Sequence, residues 1–199
     1  LIIPQVQVLR ELVETNRLAL VTQETRLAQA LDGLRRPPDL VVTDSQVVEA
    51  VGKIVPESIP MTTFSLLFCR LKGDFALQLA GAQRIRSLRS GDVVLVAEAC
   101  LHHPQHADIG RVKLPRLLQK YSGHELSFEF CAGQDFPDDL ARYALVLHCG
   151  GCMLNAREMR RRLKLCAACG VPATNYGMAI SLIQGVLERA AAPLMREPE

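Results

Sequence analysis

The sequence has no apolar run near the roughly 20 residues that a membrane-spanning helix needs, so no span and no membrane partner are expected. It also lacks an excess of either charge: 23 Lys and Arg stand against 21 Asp and Glu, a net charge of +2. A nucleic-acid binder gathers its basic residues on one face, and here they are interspersed with acids, so no nucleic-acid partner is expected. The one dense basic run, Arg157 to Lys164, reads as the solvated face of a helix. No G-x-x-x-x-G-K followed by Ser or Thr occurs; Gly52-Lys53 lacks both the first Gly and the following hydroxyl residue, which excludes a phosphate-cradling loop. G-x-G-x-x-G, H-E-x-x-H and G-x-S-x-G are missing too, and with them the simplest signatures of dinucleotide binding, zinc proteolysis and serine hydrolysis. The opening Leu-Ile-Ile-Pro has neither a basic region nor a small-residue cleavage site, so no signal peptide is expected. A start on Leu rather than Met reads as a trimmed chain or as one piece of a longer protein.

What is present is ordinary in bulk and unusual in its cysteines. A hydrophobic content of 49% with 22% charge is enough for a real core. The seven cysteines are an odd number, and Cys149 and Cys152 lie three apart across Gly150-Gly151. Without secretory features, this favours metal or redox chemistry over a disulfide framework, in a reducing cytoplasm.

Short β-branched runs alternate with helical ones. Gln5 to Asn16 reads as a helix, Leu18–Thr22 as a strand and Glu24–Leu34 as an amphipathic helix stopped by Pro37-Pro38. Leu40–Thr43 reads as a strand buried on both faces, followed by a helix Gln46–Ile54 capped by Asp44 or Ser45. Met61–Arg70 reads as another strand, with Cys69 as a buried hydrophobe in it. This βαβαβ segment has no cluster of titratable groups and is expected to serve as scaffold or self-association layer. Lys72-Gly73-Asp74 marks the expected boundary between a domain over 1–72 and one over 73–199. Beyond it come a helix Phe75–Leu88, a strand Val93–Ala97, a loop carrying Cys100, a helix near Val112–Tyr121 and a strand Leu126–Phe130. A short helix within Asp135–Tyr143, a strand Ala144–His148, a helix Asn155–Cys169, a strand Val171–Thr174 and a helix Met178–Ala191 complete the pattern. The fold class is therefore α/β: two small domains with mainly parallel sheets flanked by helices.

Cys100 follows one strand and His148-Cys149 ends another, 49 residues on. If both strands are parallel members of one sheet, their loops open on the carboxyl edge, where such sheets carry ligands. Gly150 and Gly151 allow a tight turn that aims Cys149 and Cys152 at one centre. Three Cys with a His fit a closed tetrahedral zinc site, and three thiolates with a weak fourth ligand fit an iron–sulfur cluster. His102 and His148 adjoin the cysteines as fourth ligand or as hydrogen-bonding support; His103 and His106 read as exposed loop residues. Cys166 and Cys169 fall at a helix end, where spacing of three is helical geometry, and Gly170 terminates that helix. Cys131 reads as a small buried hydrophobe.

At these residues the sequence resembles the HydF family, maturation proteins of [FeFe]-hydrogenases. The matching features are Glu98-Ala99-Cys100-Leu101-His102-His103, Asp108-Ile109-Gly110-Arg111-Val112-Lys113 and His148-Cys149-Gly150-Gly151-Cys152-Met153-Leu154-Asn155. Gly170-Val171-Pro172, Thr174-Asn175-Tyr176-Gly177, Val42-Thr43-Asp44-Ser45-Gln46 and Lys72-Gly73-Asp74 extend the likeness over essentially the whole chain. The family has a GTPase, a dimerization and a cluster-binding domain, and this sequence is similar to the last two, so GTPase activity is not carried over and no enzyme activity is expected. The resemblance implies a [4Fe–4S] cluster on Cys100, Cys149 and Cys152, with His102, His148 or Asp108 as fourth ligand or support. Many relatives carry two acids before Ile-Gly-Arg where this chain has Ala107-Asp108. The resemblance also implies a homodimer that receives a diiron precursor made with the radical-SAM maturases HydE and HydG and hands it to apo-[FeFe]-hydrogenase. Two other readings stand beside it: a structural Cys₃His zinc module for protein interaction, and a hydro-lyase whose three-Cys cluster would polarise a hydroxy acid with Asp108 and Arg111 conscripted as base and clamp.

Overall fold

The computed structural model describes residues 2–99, 109–151 and 154–195. The first part runs α1 (Ile3–Glu14), α2 (Leu27–Asp32), β1 (Val41–Thr43), α3 (Val48–Ile54), β2 (Met61–Thr63) and α4 (Phe64–Lys72). The second runs α5 (Phe75–Ala82), β3 (Val93–Glu98), α6 (Leu114–Ser122), β4 (Ser127–Ala132), β5 (Leu145–His148), α7 (Ala156–Ala168), β6 (Ala173–Asn175), α8 (Tyr176–Ile183) and α9 (Leu187–Met195). Strands β1 and β2 pair in parallel, and β4-β3-β5-β6 form a second, wholly parallel sheet. The α/β class with parallel sheets and flanking helices is as the sequence leads one to expect.

Local chemistry starts several of the helices. The side chains of Asp44, Thr63, Asp74, Asn155 and Asn175 each accept from a backbone N–H one turn or less ahead, at 2.8 to 3.3 Å. Such a cap satisfies one of the amides that a helix start leaves without an internal partner, typically worth about 1 kcal/mol.

Alternation along the central strands divides the core in two. Val94 of β3 and Leu145 and Leu147 of β5 face one layer, with Leu114 and Leu118 of α6 and Met178 and Leu182 of α8. Leu95, Ala97 and Val146 face the other, against Met159, Leu163 and Cys166 of α7. This is the two-sided burial that parallel strands require. A third cluster joins Leu27, Val48, Val51, Val55, Ile59 and Met61 around the small sheet. The first and second parts are packed together: Leu66 and Cys69 of α4 lie in the layer beneath the larger sheet. Arg189 of α9 donates to the carbonyls of Gly52 and Val55 at 2.8 and 2.7 Å, closing the end of α3.

Four expectations need correction. Leu18–Thr22 is no strand: it pairs with neither β1 nor β2 and leaves Leu18 97% exposed, because a β-branched run gains nothing without a neighbouring edge. The Met61–Arg70 strand stops at Thr63, whose hydroxyl accepts from Leu66 N and turns the rest into α4, so Cys69 is buried on a helix. No helix forms over Asp135–Tyr143. Pro137 has no N–H to give, and Asp139 Oδ1 instead takes Ala141 N at 3.2 Å in a local turn. The single helix Met178–Ala191 is two, broken around Gly185 at φ +73°, a left-handed angle that glycine adopts without strain.

Candidate metal centre

Strands β3 and β5 lie side by side in parallel, with Ala97 opposite His148. Both chains therefore leave the sheet at the same edge. One further ladder bond, Cys149 N to Ala97 O at 2.8 Å, carries the pairing a residue past β5. Ala99 N then donates to Cys149 Sγ at 3.0 Å. The residue immediately before Cys100 is thus bonded to the first thiol of the Cys-Gly-Gly-Cys turn. Cys100, His102, His103, His106, Asp108, Cys152 and the expected ligand contacts among them lie outside the described residues. Among the described residues, no group of three His, Cys, Asp or Glu side chains stands close enough to hold a metal ion.

Both ends of the segment that carries Cys100 are tied down. Glu98, at the end of β3, accepts from Arg111 Nε and Nη2 at 3.3 and 3.1 Å. The Arg111 guanidinium also lies 5.6 Å from the Phe130 ring. Gly110 is packed so closely that a Cβ there would come 2.5 Å from the Tyr176 hydroxyl and 3.1 Å from Glu98 Oε1. That contact gives Ile109-Gly110-Arg111 its physical meaning: only glycine lets the returning chain lie against β3 and α8.

The turn after β5 is gripped from two sides. Lys72 Nζ, at the end of α4, donates to the Leu154 carbonyl at 3.1 Å and the Gly151 carbonyl at 3.4 Å, and lies 5.3 Å from the Phe68 ring. Gly151 has φ +63°. A small cleft beside this turn is lined by Phe68, Lys72, Gln78, Cys149 and Asn175.

Behind the turn stands His148, 1% exposed. Arg162 Nη1 is 3.1 Å from its Nε2, and its Nδ1 is 2.8 Å from the Cys149 carbonyl. Guanidinium can only donate, so Nε2 accepts, and Nδ1 carries the proton that goes to Cys149 O. Burial, aided by the Arg162 charge, pushes the imidazole pKa down to about 4, so the ring is neutral at pH 7. Arg162 is itself 1% exposed, bonded through Nε to Glu158 at 2.9 Å and through Nη2 to the Gly133 carbonyl, with Phe136 stacked 5.0 Å away. Glu158 also receives two bonds from Arg161; the Arg161 and Arg162 hydrogen bonds hold its carboxyl down at about 2.

The run Arg157 to Lys164, expected as one solvated face, divides in the structure. Arg157, Arg160, Arg161 and Lys164 are exposed, but Arg162 is not. The signal was present: Met159, Arg162, Leu163 and Cys166 share the spacing of one buried helical stripe, and a charged residue on such a stripe must be partnered. Lys72, placed by the sequence only at a boundary, reaches across to the turn, a contact that leaves no trace in local sequence. Of the other thiols, Cys69 lines the same small cleft as Cys149, and Cys131 stands opposite Ala97 on β4. Cys166 is buried beneath the sheet while Cys169 is exposed past the helix end, and burial raises Cys69 and Cys166 to about 12 and Cys131, which is half-buried, to about 11.

No helix among the described residues is long and apolar enough to cross a membrane. Residues 1–73 match the family model for the hydrogen maturase F dimerization domain, and residues 76–193 match that for the hydrogen maturase F tetramerization domain. No curated protein matches the chain. Both matched models describe self-association, and both belong to a hydrogenase-maturation protein. With more than half of its length under a single family model, the chain belongs to the hydrogen maturase F family.

Proposed function

We propose that this chain is a scaffold and carrier in assembly of the [FeFe]-hydrogenase active site, holding a [4Fe–4S] cluster through Cys100, Cys149 and Cys152. The observation that carries the reading is the Ala99 N–H donated to Cys149 Sγ at 3.0 Å across two parallel strand ends. It brings the segments bearing Cys100 and Cys149 to one sheet edge. It also supplies an N–H to sulfur, which favours the thiolate and is one of the levers that tune thiolate-bound iron. The donor set fits: three thiolates suit iron–sulfur ligation, and the Gly150-Gly151 spacer, with Gly151 at φ +63°, suits two of them sharing one centre.

In this reading the residues divide the work. Cys100, Cys149 and Cys152 bind; Lys72 and the Glu98–Arg111 pair hold the two segments; His102, His148 or Asp108 completes the coordination or supports it. A three-cysteine cluster supplies, when bound, one iron whose fourth position can exchange ligands. The cargo is a diiron precursor received with HydE and HydG and passed to apo-hydrogenase, and self-association of the chain, as a homodimer or higher, presents the site. Arg111 is already engaged by Glu98, which argues against its service as a substrate clamp in a hydro-lyase. No catalytic step is assigned to the chain. The localisation that accompanies this role is the reducing cytoplasm.

Anaerobic reconstitution tests the reading. About four irons per chain and broad visible absorption are expected, both lost in Cys100→Ser, Cys149→Ser or Cys152→Ser together with activation of apo-hydrogenase. A colourless protein with one zinc per chain, or serine variants that still hold iron and activate hydrogenase, would overturn it.

A further inference from the structure

Arg162 is a buried cation with no part in the reading above. Nearly every group it touches is fixed: Glu158 on its own helix, the Gly133 carbonyl in the turn after β4, the Phe136 ring, and His148 Nε2 at the end of β5. Its contact with His148 forces the imidazole into one tautomer, and that tautomer points its only N–H at the Cys149 carbonyl. The carbonyl in turn belongs to the residue whose amide is pinned to Ala97 O and whose sulfur receives Ala99 N–H. The peptide plane after Cys149 is therefore held by a line of hydrogen bonds that begins on α7, and both ring nitrogens of His148 are used up in it.

We propose that Arg162 is a positioning residue for the metal centre: through His148 it fixes the Cys149 carbonyl and hence the path of the chain into Gly150 and Gly151, and His148 serves as the link in that line rather than as a metal ligand. The part concerning a metal rests on the iron–sulfur reading; the line of hydrogen bonds does not. For His148 to ligate through Nε2, it would have to displace the guanidinium, stranding a donor where no water reaches. To ligate through Nδ1, it would have to release the Cys149 carbonyl. Aligned partners of this kind usually orient ligands rather than act as them.

The test begins on the full chain without metal, kept anaerobic and ¹⁵N-labelled. A long-range ¹H–¹⁵N spectrum is expected to show His148 as the Nδ1–H tautomer alone. In Arg162→Met that single tautomer is lost, and amide exchange over the turn at 149–151 accelerates roughly tenfold or more, the factor matching one charge-assisted hydrogen bond. Arg162→Lys, which keeps a donor and the charge, restores much of both and serves as the decisive variant should Arg162→Met fail to fold. After reconstitution, Arg162→Met and His148→Asn are expected to bind iron but to move the EPR signal and lower the midpoint potential, with no loss of a nitrogen coupling to the cluster. A wild-type His148 found as the Nε2–H tautomer, or a directly coordinated nitrogen that vanishes in His148→Asn, would overturn the proposal. A wild-type chain that shows the Nδ1–H tautomer yet takes up no iron would sink the cluster reading and support the line of hydrogen bonds.

Discussion

Replacing Gly81 by alanine pits helix propensity against packing, and the distances decide the outcome. Gly81 lies inside α5, where alanine would ordinarily add about 0.5–1 kcal/mol. A Cβ there, however, would come 2.1 Å from the Ala173 carbonyl oxygen, 2.7 Å from its carbon and 2.9 Å from its nitrogen. These are backbone atoms of β6, whose Ala173 is paired with Val146 of β5, so they cannot rotate aside as a side chain would. To restore an ordinary contact of 3.4 Å from 2.1 Å, α5 would have to withdraw by roughly 1.3 Å, a case of overpacking that costs about 1–3 kcal/mol. Because the opposing atoms are backbone, the upper half of that cost applies, and the balance is a net loss of about 1–2.5 kcal/mol, or roughly 2–10 °C in Tm for a chain of this size. Thermal unfolding followed by circular dichroism reads it directly. Gly33→Ala is the control, because its Cβ meets only ordinary contacts at 3.5 and 3.7 Å and should leave Tm unchanged or higher. If Gly81→Ala melts with or above the wild type, α5 can ride away from the sheet, and the rigid seating argued here for β6 is wrong.

Three further outcomes follow from other parts of the molecule. Leu18, Leu20 and Val21 are 97%, 64% and 58% exposed within the dimerization match, so Leu18→Asp with Leu20→Asp should lower the assembled mass in light scattering; an unchanged mass would refute their part in the interface. Glu158 sits near 2 in the folded chain against an ordinary value of 4.5, so its contribution is full above pH 4.5 and is lost as pH falls towards 2. Glu158→Gln should therefore flatten the acid limb of Tm against pH in that window, and an unaltered limb would count against the Arg161 and Arg162 contacts. Brief native alkylation at pH 8 should modify exposed Cys169 and spare Cys69 and Cys166, which burial holds near 12; equal labelling of Cys166 and Cys169 by mass spectrometry would refute their separation across the helix end.

The strands that build the site were legible because their burial on both faces writes itself into composition: Val93–Ala97 and Ala144–His148 are near-continuous apolar runs bounded by turn residues. Their meeting at one edge followed from the parallel order of an alternating α/β pattern. Leu18–Thr22 and Met61–Arg70 misled for opposite reasons. The first has strand composition but no partner within the described chain; the second has strand composition, yet Thr63 can cap a helix, and Leu66 and Cys69 then fall on one buried helical face. The burial of Arg162 is written in the stripe of Met159, Leu163 and Cys166, but its partner His148 is 14 residues away and that of Lys72 is 79, separations with no local signature; only the four residues between Glu158 and Arg162 have one.

Lys72 deserves a different description from that of a hydrogen-bond donor. It ends the helix that closes the dimerization match, and its ammonium holds the carbonyls of Gly151 and Leu154, on either side of Cys152. The thiol-bearing turn is thus tethered to the part of the chain through which copies associate. A rearrangement of subunits that shifted α4 would therefore reach that turn directly, along with the core layer in which Leu66 and Cys69 lie. Quaternary geometry and the set of that turn are thereby two ends of one lever, with a single lysine side chain as its arm.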